Sequence, residues 1–198
     1  MSKGLLIGLG VILLLAFWVG SKYNGLVGTD ENVIKAWADV QADYQRRADM
    51  IPSIVATVKN AAKNEKDILT SVTNARAGIS NLEKESAENS QAIKNAKTPQ
   101  DLDAVGQRIN TAIKISVEAY PTIRSTDAFI GLQSQLEGTE NRIKTSRSDY
   151  NAAVNLHNVR VRSFPANIIA GMFGFGKKDE FKASEGSEKM PDVKNLFD

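Results

Sequence analysis

From Thr29 onward an apolar residue recurs at every third or fourth position: Val33, Trp37, Val40, Tyr44, Ala48, Ile51, Val55, Val58 and Ala62. That spacing gathers one apolar stripe on a helix, to be buried against a partner. Successive steps of four at Tyr44 and Ala48 form a stutter, which locally unwinds a supercoil. The period resumes at Ile68, Val72, Ala75, Ile79 and Leu82. Residues 83–97, EKESAENSQAIKNAK, lose it and predict a helix end followed by a loop. Thr98, Pro99 and Asp101 then restart a helix as N-cap, first helical residue and first-turn acid. Its stripe is Leu102, Val105, Ile109, Ile113, Val117 and Tyr120, and Pro121 ends or kinks it. A last helix, from about Asp127 to Ser163, carries Phe129, Leu132, Leu136, Ile143, Tyr150, Val154, His157 and Val161. Thr139 or Glu140, and Arg147, fill its intervening stripe positions, and Phe164-Pro165 closes it. At 1.5 Å per residue it is a rod of roughly 55 Å. No segment alternates with period two. The expected fold is all-α, an elongated antiparallel bundle of long helices, because no helix with one apolar stripe is stable alone.

Ahead of the bundle the pattern disappears into a continuous apolar run. Gly4 to Ser21 is uncharged and flanked by Lys3 and Lys22. As a helix it covers roughly 27 Å, close to the ~30 Å hydrocarbon core of a bilayer. Phe17, Trp18 and Tyr23 cluster at its end as an aromatic belt does. A secretory signal peptide would have small residues where Phe17 and Trp18 stand, so the run is an uncleaved transmembrane anchor. Gly25 and Gly28 are expected to interrupt the membrane helix, with Thr29 as the N-cap of the next and Asp30 and Glu31 in its first turn. The resulting division is an anchor over 1–22, a juxtamembrane joint over 23–28, a bundle over 29–176 and a polar, mobile tail over 177–198. Gly4 and Gly8 have the spacing that lets two membrane helices approach closely.

Charge changes this picture at one place. Arg46, Arg47 and Asp49 flank the first stripe, with Asp43 one turn earlier. The last helix has a matching set in Glu137, Glu140, Arg142, Arg147 and Asp149. Lining the edges of a helix seam, such charges pair across it and fix register. The alternative is a ligand or reaction site, which requires a positioned group with a tuned pKa beside a pocket. The sequence has no nucleophile elbow, glycine-rich phosphate loop or metal-ligand spacing. Pro52 reads as a kink beside the stutter, or as the first residue of a new helix after Met50. The single histidine, His157, lies on an apolar stripe, where a packed, hydrogen-bonded role is expected.

Composition narrows the classes. Lys+Arg number 25 and Asp+Glu 23, a net charge of +2, which supplies no basic footprint for nucleic acid. With no cysteine there are no disulfides, thiol catalysis or cysteine–zinc sites. No cofactor and no catalytic residue is expected.

After the last helix, SFPANIIAGMFGFGKK crowds Ile168, Ile169, Met172, Phe173 and Phe175 into a short glycine-containing segment. It packs on the bundle's end, touches a neighbouring protomer, or touches a membrane surface, with protein contact favoured over lipid.

Set side by side, several stretches resemble the LemA family of membrane-anchored helical proteins. They are YNGLV, AWADVQADYQRRADMIPSIVATVK, Ala75-Arg76, EAYPTIRSTDAFIGLQSQLEGTENRI, SRSDYNAAVNLHN and SFPANIIAGMFGF, in family order over most of residues 23–175. The resemblance implies a long helical bundle on one transmembrane segment and implies no catalytic residues. LemA-like proteins are often encoded near membrane peptidases, and relatives occur in magnetosome formation. At KNEK, Lys63–Lys66, the chain departs from a family pattern in which histidine often precedes the glutamate, so no metal role is expected there. The combined expectation is a single-pass protein of the bacterial cell (inner) membrane, embedded through residues 4–21, that acts without catalysis. It self-associates as a scaffold; the alternative is an adaptor or regulatory subunit for a membrane peptidase or signalling protein.

Overall fold

A computed structural model of the chain describes residues 3–64, 72–118 and 127–182, with side-chain surroundings over 3–57, 84–114 and 130–182. Among the described residues there are five helices: α1 (Lys3–Asn64), α2 (Val72–Asn95), α3 (Pro99–Glu118), α4 (Asp127–Arg162) and α5 (Ala166–Phe173). Among the described residues there is no strand. The stripe positions Ile68 and Tyr120, the helix stop at Pro121 and the peptide at the extreme C-terminus lie outside the described residues.

The main correction concerns α1. It runs unbroken for 62 residues, through Gly25, Gly28 and Pro52. No N-cap forms at Thr29 and no new helix begins at Pro52. Two side chains support the glycine-containing turns. Arg160 Nη1 donates to the Gly25 carbonyl at 2.6 Å, and the buried Thr29 hydroxyl lies 2.9 Å from the Leu26 carbonyl. Tertiary contact outweighs the ~1 kcal/mol that each glycine costs a helix.

α4 packs antiparallel on α1. Partners step down α4 as they climb α1: Gly25 with Arg160, Thr29 with His157, Trp37 with Tyr150, Arg47 with Glu140 and Met50 with Thr139. The core along this seam is the predicted stripe, with Val33, Val40, Tyr44, Ala48, Ile51 and Val55 from α1 and Leu132, Ile143, Tyr150 and Val154 from α4. Thr139 and Ser146, both buried, fill the intervening α4 positions.

α2 and α3 cover the membrane-distal part of α1. Residues 83–95 are helix rather than helix end and loop. The stripe was hidden because its buried positions are Ser86, Asn89, Ile93 and Ala96, of which only two are apolar. Gln45 and Gln41 of α1 donate to Ser90 Oγ and the Ile93 carbonyl beside this face, each at 2.8 Å, while Asn89 Nδ2 is buried without a hydrogen-bond partner. The start of α3 forms as expected. The Asp101 amide donates to Thr98 Oγ1 at 3.2 Å, and Asp101 Oδ2 accepts from the amides of Thr98 and Lys97. The Thr98 hydroxyl and these two amides hold the Asp101 carboxyl below its ordinary pKa. One turn later Gly106 meets the Tyr44 ring; a Cβ there would lie 2.7 Å from Tyr44 Cε1.

Candidate functional site: the charged seam and the C-terminal strap

Arg47, Glu140, Arg147, Asp103 and Tyr44 line one cleft of about 580 Å³, and the remaining seam charges lie outside it. Arg47 forms an ion pair with Glu140 across α1 and α4, its side chain 13% exposed and that of Glu140 60%. Burial lowers the Arg47 pKa from its ordinary value, and the Tyr44 phenol partly opposes that shift. Its Nε is buried without a hydrogen-bond partner. Arg147 forks onto Asp103 of α3 at 3.1 and 3.4 Å. Asp103 also accepts from the Tyr44 hydroxyl at 3.4 Å. Burial, more than these neighbours, raises the Tyr44 pKa, so the phenol remains protonated and can only share its proton in a hydrogen bond. Asp43 and Arg142 line a separate open groove with Asp39, Asn141 and Asp149. Arg46 is exposed, Asp49 accepts from Gln45 at 2.7 Å, and Glu137 accepts from Gln133 at 3.3 Å.

Within this shared cleft each arginine is paired with a carboxylate. Asp103, which sequence reading missed, is what joins Tyr44 and Arg147. Its signal was its position on α3, two residues from the Asp101 cap, with no partner visible along the chain. Among the described residues there is no cluster of three or more His, Asp or Glu side chains able to hold a metal.

The more extensive polar array continues along the same face of α4, where Arg147, Asn151 and Asn158 fall within about 40° of one another at 100° per residue. After α5, the chain turns at Gly174, whose φ of 78° is left-handed, and the Phe175 amide closes onto the Ala170 carbonyl at 2.9 Å. Residues 175–182 then return along α4 as an extended strap. Asn158 donates to the Lys178 carbonyl and accepts from the Lys178 amide, both at 2.9 Å. One heptad earlier, Asn151 repeats this with Phe181, at 3.0 and 2.9 Å. The Tyr150 hydroxyl donates to the Asp179 carbonyl at 3.0 Å. Phe181 is buried against Trp37 and Tyr150, with the Arg147 guanidinium 4.6 Å from its ring centre. Residues 177–182, expected in a mobile tail, are therefore part of the bundle. An amide side chain matches a backbone peptide group donor for acceptor, and that complementarity leaves no periodicity to read.

His157 is fully buried at the start of this strap. Its Nε2 lies 3.0 Å from the Gly176 carbonyl and so carries the proton. Nδ1 lies 3.3 Å from the Thr29 hydroxyl, whose single proton is shared between this ring nitrogen and the Leu26 carbonyl. Beside it Lys178 Nζ pairs with Asp30 at 2.9 Å. The packed, hydrogen-bonded role expected for this histidine is the one observed.

α5 closes the membrane-proximal end. Ile169 and Ala170 join Leu26 in a second small core, flanked by Val19, Tyr23, Val161 and Phe175. The Tyr23 ring centre is 4.8 Å from that of Phe173 and 5.8 Å from that of Phe175. Ile168, Met172 and Phe173 remain exposed, whereas Phe175 is half-buried. A Cβ at Gly4 or Gly8 would meet nothing within 4 Å, so that face of the apolar run is open.

The sequence signature of the LemA family matches residues 36–195, which contain α2, α3, α4, α5, the strap and most of the bundle part of α1. The chain belongs to the LemA family. Magnetosome protein MamQ 2 of Paramagnetospirillum magneticum is 35% identical over 81 residues, 41% of this chain and 30% of that relative's length. Magnetosome protein MamQ of Magnetospirillum gryphiswaldense is 24% identical over 194 residues, covering 89% of this chain and 71% of the relative. Protein LemA of Metamycoplasma hominis is 21% identical over 168 residues, 85% of this chain and 72% of that protein. The apolar N-terminal segment of this LemA protein is long and apolar enough to cross a membrane, and none of it is buried in the bundle. Together with the magnetosome relatives, this supports a membrane location.

Proposed function

We propose that this LemA protein is a non-enzymatic, single-pass component of the bacterial cell (inner) membrane that works by assembling with copies of itself. The observation that carries the reading is the continuity of α1 from Lys3 to Asn64. A helix with no hinge between apolar run and bundle fixes the bundle's lateral faces relative to the bilayer, and confinement to two dimensions raises the encounter rate of those faces. Gly4 and Gly8 offer close approach within the bilayer. Exposed Ile34, Ile130 and Leu156 supply apolar points on the bundle's flanks. The described clefts support no reaction as well as they support structure, since Arg47 and Arg147 are each committed to a carboxylate. The magnetosome proteins it resembles are named for a membrane organelle, which fits a structural role.

The test is the mass of the full-length protein in mild detergent, together with cross-linking in intact membranes. A defined oligomer and a cross-linked ladder support assembly. A monomer that co-purifies with another membrane protein moves the reading to an adaptor or regulatory subunit, for which a membrane peptidase is the first partner to examine.

A further inference from the structure

We infer that α5 lies in the headgroup region of the bilayer as a second, non-spanning membrane contact, with Phe164, Ile168 and Met172 immersed in lipid. The inference rests on α1 crossing the membrane and adds a lipid-binding surface to that reading.

Position is the first argument. α5 and its flanks pack against Val19, Tyr23 and Leu26 of α1. The uncharged run ends at Ser21, and Lys22 is the first charge after it. Val19 to Leu26 rises about 10 Å along α1, which brackets the boundary between hydrocarbon and headgroups. α4 ends at Arg162, two residues after the Arg160 that bonds Gly25, so α5 closes the end of the bundle from which α1 continues into the membrane.

The second argument is the chemistry of the two faces. α5 has no charged residue. At 100° per residue, Ala166, Ile169, Ala170 and Phe173 share the side toward the core, while Ile168 and Met172 lie opposite. Phe164 is 81% exposed, Met172 75% and Ile168 55%, three large apolar side chains spaced four apart. Such a patch marks a contact. Water cannot favour this face, while a headgroup–acyl boundary does, as for interfacial helices generally. Lys22, Arg162 and Lys177, all exposed, surround the same end and complement anionic headgroups. Its continuity with the spanning segment is what selects lipid over a second copy: a face at this depth adjoins the bilayer in every molecule.

The cysteine-free chain allows a direct test on the full-length protein. Met172→Cys, Ile168→Cys and, as an exposed reference farther along α1, Ile34→Cys are labelled with a polarity-sensitive fluorophore. Each is reconstituted into vesicles of phosphatidylcholine and phosphatidylglycerol, at a dilution leaving most vesicles with one chain. Helicity by circular dichroism and flotation with the vesicles confirm fold and insertion. The expected result is blue-shifted emission at 172 and 168, severalfold quenching by lipids spin-labelled near the headgroup and little quenching by iodide, with the reverse at 34. Flotation with iodide-accessible probes at 172 and 168 overturns the lipid contact alone. Probes protected from both quenchers, with protection lost on dilution, assign the face to a second copy and also overturn it. Failure to float after reconstitution removes the spanning reading and this inference with it.

Discussion

Two polar arrays hold α4 in place, and they differ in how they are built. The seam toward α1 and α3 uses full charges, Arg47 on Glu140 and Arg147 on Asp103. The contact with the strap uses neutral amides, Asn151 and Asn158, each gripping one residue at both its N–H and its carbonyl. The charges draw the eye in the sequence, yet Glu140 is 60% exposed and its pair competes with water. The amides need no desolvation of charge and tie down backbone that would otherwise be unpaired. The difference predicts that the unobtrusive array holds the strap on α4 more firmly than the conspicuous one holds α4 on its neighbouring helices.

The strongest way to break the comparison is to remove what the amides hold in place. Phe181→Ala empties a site lined by Trp37, Tyr150 and the Arg147 guanidinium. It should cost about 3–5 kcal/mol, read as a lower urea midpoint of the detergent-solubilised protein. It should also speed tryptic cleavage after Lys177 and Lys178. Next in size, Asn158→Ala and Asn151→Ala each remove two hydrogen bonds and should cost about 2 kcal/mol apiece. Limited proteolysis should show the strap released before the bundle melts; an unchanged cleavage rate would mean the strap is held elsewhere. The charged seam should yield less. Arg47→Met keeps the buried stem packing and eliminates an unpartnered Nε, and Glu140→Ala leaves a mostly solvated position. Both should stay within about 1 kcal/mol of the parent. A loss from Glu140→Ala as large as that from Asn158→Ala would reverse the ranking. The smallest effect concerns Tyr150, whose pKa is raised by burial and further by the Asp179 and Glu180 carboxylates. The folded state holds this phenol neutral beyond its usual range. Its contribution is thus complete below pH ~10 and is lost as pH rises through the folded value. Ultraviolet titration should show a late-ionising phenol that Tyr150→Phe removes.

Much of the architecture was legible because it follows a 3.6-residue period or a local capping rule. The α1 and α4 stripes were readable from spacing alone, and Thr98 with Asp101 announced α3 through groups three residues apart. The misreadings share a cause. At Gly25 and Gly28 local propensity favoured a break, and it was overruled by Arg160, which is distant in sequence from the Gly25 carbonyl it binds, and by the packing of Thr29 on the equally distant His157. Over residues 83–95 the helix buries Ser86 and Asn89, so a search for apolar side chains passed over a real stripe. The strap is extended and held through its backbone, which carries no side-chain signature. Asp103 was unremarkable until α1 and α4 brought Tyr44 and Arg147 beside it.

The unbroken course of α1 also has a mechanical side. Beyond Lys22 it extends 42 residues to Asn64, about 63 Å of continuous helix. A spanning segment tilts to match the thickness of the bilayer around it, and a stiff rod passes that angle to its far end. A tilt of about 10° therefore sweeps the tip sideways by roughly 11 Å, about the width of one helix. With its apolar run spanning the bilayer as proposed, the protein is a lever whose short arm sits in lipid, and a small change in membrane thickness becomes a displacement as large as a binding partner's own helix.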